Sequence, residues 1–237
     1  MRHRNVRGTI LYTSRKPERL GERRGIEHFN FTHHGDGRTT LRAYVEIEEP
    51  EPTVLRDVIY SLDAEHRPAD CHVRLTVGDR FMGSGWFRFS AGAIECESYG
   101  PSIGRVSQRV TLERPIDGFG THPVVADGYL LALLDWHSGQ RRRLHVYVPS
   151  PDHRGATPPL LAEVNIDAVY LGPEPVTVQA GRFAARHFQF LDEGASGMLG
   201  QHPPYDVWIS DDRDGILLQG GVGGYMQTWY ELVNLER

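Results

Sequence analysis

Only two cysteines, Cys71 and Cys96, occur in the 237 residues, and neither belongs to a Cys-x-x-Cys pair. Both sit in strand-like segments, so they read as buried free thiols rather than as a disulfide framework or a zinc site. Long apolar runs are missing too. The longest candidate, Val124 to Trp136, is interrupted by Asp127 and Asp135 and falls short of the roughly 18 residues of a membrane span. The N-terminal segment offers only Ile10, Leu11 and Tyr12, against the roughly 7 to 15 apolar residues of a secretory leader. The expected location is therefore cytoplasmic. No phosphate loop, Gly-x-Ser-x-Gly elbow, His-Glu-x-x-His helix or dinucleotide fingerprint is present, and each of those chemistries depends on its spacing. The run Gly220 to Gly224 has no helix start after it to receive a phosphate, so it reads as a hairpin turn. No cofactor and no metal are expected.

A concentrated basic face is also lacking. Lysine and arginine number 26 against 31 acids, for a net charge of -5, which speaks against a nucleic-acid partner because phosphate binding needs clustered cations. Arg2, Arg4 and Arg7, the run Arg141 to Arg143, and the acids Glu46, Glu48, Glu49 and Glu51 read as solvated loops or strand edges.

What is abundant is turn chemistry. Twenty-six glycines and fifteen prolines interrupt helices and serve the turns between short strands. From Gly25 onward the chain alternates in strand fashion: IEHFNF, TTLRAYVEIE, VLRDVIYSLD, CHVRLTV, RFMGSGWFRFS, AIECESYG and RVSQRVTLER. The spacing is that of barrels and sandwiches. Period-two parity puts Val54, Arg56, Val58, Tyr60 and Leu62 on one face. Gly83 and Gly85 inside a strand predict a bulge or a tight bend. After one helix over about 122–138, with Thr121 as N-cap, the strands resume as RRLHVYVP, AEVNIDAVYLG, EPVTVQAGRFAARHFQFLD, PYDVWIS, GILLQGG and MQTWYELVNLE. The expected fold is mainly β: one domain over 1–237, a curved antiparallel sheet or lipocalin-like barrel with one packed helix.

The helix ADGYLLALLDWHSGQ, the segment EPVTVQAGRFAARHFQF, and the closing pair DVWISDDRDGILLQGG and GYMQTWYELVNL resemble the DUF3108-type families. More distantly they resemble the LolA-like half-barrels of lipoprotein carriers. That likeness covers the C-terminal half and implies a sheet curled around the helix with an apolar cavity, which in the carriers holds acyl chains.

Charged groups that fall mid-strand among aromatics are expensive to bury unless a partner or ligand meets them. The candidate catalytic set is His122 or His187 as base, Arg56 or Arg88 as an anchor for a carboxylate or oxyanion, and Tyr129 or Tyr225 as proton donor. Trp86, Trp208, Trp229, Tyr60 and Phe188 are candidate ligand contacts. The function expected is a cofactor-independent lyase, isomerase or hydratase acting on a hydrophobic or aromatic small molecule. The alternative is a non-catalytic carrier of a lipid-like ligand, and a homodimer is compatible with either.

Overall fold

The structure, a computed structural model, describes residues 3–194 and 196–237. Eight antiparallel strands follow one another as hairpins: β1 (Arg4–Ser14), β2 (Arg23–His33), β3 (Thr39–Ile47), β4 (Val54–Leu62), β5 (Pro68–Val77), β6 (Arg80–Ser90), β7 (Ala93–Gly100) and β8 (Gly104–Thr111). Then come β9 (Gly118–Phe119), the helix α1 (Val124–Ala132), β10 (Arg141–Val148) and β11 (Ala162–Pro173). The chain ends with β12 (Val176–Val178), β13 (Gly181–Phe183), β14 (Ala185–Leu191), β15 (Tyr205–Ser210), β16 (Leu217–Val222) and β17 (Thr228–Glu236). Fifteen of these strands form one sheet in which β1 pairs with β17, so a meander of β8 back to β1 continues directly into β17, β16, β15, β14, β11, β10 and β9. The architecture is mainly antiparallel β with one α-helix among the described residues.

The sheet curls because the far ends are held together by the β10–β11 connection rather than by a ladder between β8 and β9. Leu161 N–H donates to Gln108 Oε1 of β8 at 2.8 Å. Pro159 lies where side chains on β6 would stand: a Cβ at Gly83 would meet it at 2.9 Å and one at Gly85 at 2.8 Å. The register of β5 against β6 also shifts between Leu75 and Thr76, opposite Gly83, so the bulge and the bend expected at these glycines coincide.

Alternation along the strands turns one face inward. Phe31, Phe87, Phe119 and Phe188 are fully buried, with Phe119 packed 5.2 Å from Phe87 and 5.0 Å from Phe89. The parity expected for β4 holds, with Val54, Arg56, Val58, Tyr60 and Leu62 all buried.

Four expectations need correction. The segment carrying Arg4 and Arg7 is not a solvated loop but β1, the strand that joins the two meanders; Arg2 lies outside the described residues. Its inward positions include Gly8, whose missing side chain makes room for the Phe29 ring 2.4 Å away from where a Cβ would be, so the hydrophobic alternation is broken at that point. The helix is nine residues, Val124–Ala132, not 122–138, and Thr121 does not cap it: Pro123 holds the N-cap position and Thr121 Oγ1 is buried without a partner. Finally, EPVTVQAGRFAARHFQFLD is three strands, a β12–β13 ribbon outside the main sheet followed by β14. The two-residue β9 lies parallel to β10, with α1 as the crossover between them, an arrangement no period-two pattern announces.

Candidate functional site

Helix α1 packs on the inner face of the sheet. Gly128 sits against Ile209 and Leu217 of β15 and β16, and the Tyr129 ring lies 4.6 Å from that of Phe31 on β2. Placed there, the helix separates a cavity of about 380 Å³ from a small pocket of about 20 Å³. The walls of the large cavity are apolar over much of their extent, with Val146 and Val148 of β10, Val164 and Ile166 of β11, and Phe190 of β14.

A buried carboxylate holds the helix in position. Glu27 on β2 is inward with Phe29 and Phe31 and wholly inaccessible. Its Oε2 accepts the Tyr12 hydroxyl at 2.6 Å and the Val124 N–H at 2.8 Å, while Oε1 accepts the Val125 N–H at 3.0 Å. Glu27 thus replaces the missing side-chain cap, satisfying two orphan amides at the positive end of the helix. Burial raises its carboxyl to about 7, against the opposing pull of those hydrogen bonds and of Arg56.

Arg56 is buried as well, with Nη2 donating to the Arg154 carbonyl. Burial lowers its guanidinium to about 10 despite Tyr12, Glu27 and Asp152 nearby. The Asp152–Gly155 turn lies over this group; Gly155, at φ +60°, has Arg56 Nη2 and the His122 ring where a side chain would project. His122, itself at φ +73°, donates from Nε2 to the Ser150 carbonyl at 3.1 Å. Burial and then Arg56 push its imidazole down to about 3, so the ring stays neutral through the physiological range.

The candidate residues fall into five places. Arg56, His122 and Tyr225 line the large cavity, Tyr225 at its mouth and 63% exposed. Tyr60 and Tyr129 face the small pocket on the other side of the helix, and Phe188 is core packing against Trp136 and Tyr170. Trp86 and Arg88 lie outside: Trp86 is 43% exposed and Arg88 forms a surface ion pair with Glu95 at 3.6 Å. The outer face of β14 and β15 carries His187 and Trp208, rings stacked 3.9 Å apart, with Trp229 next to Trp208 at 6.0 Å. His187 there meets Glu174 and Asp206, both at 2.9 Å, and Glu174 also accepts from the Trp208 indole. The two candidate bases are therefore not brought together, because even and odd positions of β14 face opposite sides.

Several residues that build or line the cavity were not among the candidates. Glu27 and Tyr12 were missed, as were Asp127, Tyr205 and Tyr230, which line the cavity beside the helix. One signal existed: parity places Glu27 on the same face as Phe29 and Phe31.

No family model and no curated protein matches the chain. Among solved structures, a β-barrel-like protein of the DUF1849 domain of unknown function from Brucella abortus superposes with a TM-score of 0.54 at 12% identity, covering 99% of this chain and 96% of that one. The fold is β-barrel-like. Two further structures align over nearly the whole length. One, from Bacteroides fragilis, is provisionally described as an exported protein with a YmcC-like fold (TM-score 0.36, 8% identity, covering 98% of this chain and 95% of that one). The other, from Parabacteroides distasonis, is provisionally described as a lipoprotein (TM-score 0.35, 6% identity, the same coverages). The barrel-like architecture implied by the resemblance to DUF3108-type and LolA-like proteins is therefore present. The exported and lipoprotein descriptions are those of the two neighbours, neither of them cytoplasmic, and the cytoplasmic location expected from the sequence is not retained. No helix of the described residues is long and apolar enough to cross a membrane.

Proposed function

We propose that the protein binds a small, largely apolar molecule in the barrel cavity and holds it without transforming it. The observation that carries this reading is the cavity of about 380 Å³ walled by Val146, Val148, Val164, Ile166 and Phe190, a size and lining typical of sites that enclose a small ligand. Three of the ionisable groups around it, Glu27, Arg56 and His122, are engaged in building it. Glu27 spends its acceptors on Tyr12 and two helix amides, Arg56 donates to a backbone carbonyl, and His122 is tied to Ser150. Acid–base catalysis by His122 and His187 has no support from their placement, one inside the barrel and one on its outer face.

Native mass spectrometry of the purified protein, before and after extraction with organic solvent, tests this. A discrete adduct of a few hundred daltons that leaves on extraction, and returns when the extract is added back, is the expected result. A single unliganded mass throughout, with no uptake of any apolar compound, would overturn the proposal.

A further inference from the structure

One acid in the cavity has no answering group. The lining cations are all engaged: Lys16 pairs with Glu49 at 3.2 Å, Arg24 donates to Met226 O and to Thr228, Arg56 to Arg154 O, and Arg154 to Pro50 O and Pro52 O. Asp127, in the first turn of α1, lines the same cavity and makes no hydrogen bond or ion pair among the described residues. Asp127 is half-buried, and a carboxylate facing an apolar cavity is costly unless something meets it.

Its surroundings are aromatic. Tyr12 packs edge-on to Tyr230 at 4.7 Å, Tyr230 edge-on to Tyr205 at 5.8 Å, and Tyr205 stacks with Phe190 at 5.8 Å. All four rings line the cavity with Asp127. The Tyr205 hydroxyl, on a side chain only 7% exposed, is buried with no partner, so a second polar group waits there for something from the cavity. Ring faces and a carboxylate attract the same kind of group, an organic cation.

Building on the cavity-binding reading, we infer that the ligand carries a cationic amino head on an apolar body. The head sits against Asp127 among Tyr12, Tyr205 and Tyr230, and the body lies along Val146, Val148, Val164 and Ile166. Burial and then Glu27 raise the Asp127 carboxyl well above its ordinary range, and a cation placed against it favours its charged form. The titratable groups facing Asp127 are Glu27 from β2 and the hydroxyls of Tyr205 and Tyr230 from β15 and β17.

The test is displacement of a neutral fluorescent dye, 1-aminoanthracene, by decyltrimethylammonium, decan-1-ol and decanoate, all below micelle formation. The first has no proton of its own to lose. Wild type is expected to favour the ammonium over the alcohol by about tenfold or more at pH 8. Asp127→Asn, which keeps the shape, is expected to abolish that preference by weakening the ammonium. An unchanged far-UV circular dichroism spectrum and cooperative urea unfolding report that the variant is folded. The inference is overturned if the alcohol or decanoate competes as well as the ammonium in wild type, or if the variant keeps the preference. Should none of the three displace the dye and the dye itself not bind, the cavity-binding reading fails along with it.

Discussion

Replacing Glu27 by glutamine is expected to remove one titration from the pH dependence of folding. Burial lifts this carboxyl from its ordinary 4.5 to about 7, while in the unfolded chain it stays near the ordinary value. Between those pH values the folded state keeps a proton that the unfolded state has lost, so the contribution is fully present below the unfolded pKa and is lost as pH rises through the folded one. Over that interval, at about 1.4 kcal/mol per pH unit, the loss comes to about 3 kcal/mol. No allowance for solvent screening is needed because Glu27 is wholly inaccessible. Glutamine has no such titration, but its amide can satisfy only part of the same geometry. With its oxygen toward Tyr12 and Val124, its NH₂ faces the Val125 N–H, which leaves a buried donor unpaired at a cost of about 1–3 kcal/mol. The variant should therefore be clearly less stable than wild type at pH 5 and close to it at pH 8. Urea unfolding of both proteins across that range reads the difference directly. Parallel stability profiles would refute the reasoning, since Glu27 would then have to titrate in the folded protein as it does in the unfolded chain.

Removing the Arg56 charge with Arg56→Met takes away an interaction that lowers the Glu27 carboxyl, so the same stability-against-pH comparison should show the Glu27 titration moved above about 7. Gly85→Ala places a methyl 2.8 Å from Pro159 and 3.1 Å from the Phe87 ring. It should cost about 1–3 kcal/mol in urea unfolding by prising the β10–β11 connection from β6. Cys71 and Cys96 are buried, with burial raising the Cys71 thiol well above its usual value and the Cys96 thiol to about 12. A colorimetric thiol reagent should thus find both unreactive in the native protein and both reactive in denaturant.

Much of the architecture was legible because period-two alternation and turn residues are local signals. The hairpins from β2 to β8 and the inward parity of Arg56 follow from them. β1 was hidden by Gly8, which sits where an inward hydrophobe would normally stand because Phe29 fills the space. The helix ended early and took its cap from Glu27, 97 residues back in the chain, a partner no local capping pattern contains. Asp127 served in the sequence only as an obstacle to a membrane span, because its role depends on four rings delivered by β1, β14, β15 and β17. His187 and Trp208 looked like cavity groups because aromatic strands have two faces, and on the outer one both meet Glu174.

Titration of 1-aminoanthracene against wild type and Val164→Trp tests cavity binding most directly, because Val164 is a buried wall residue of the cavity and a larger ring there takes up its space. Saturable one-to-one binding to wild type, lost in a variant that unfolds with wild-type cooperativity, is the predicted result. Equal binding by the two proteins, or none by either, would contradict the account.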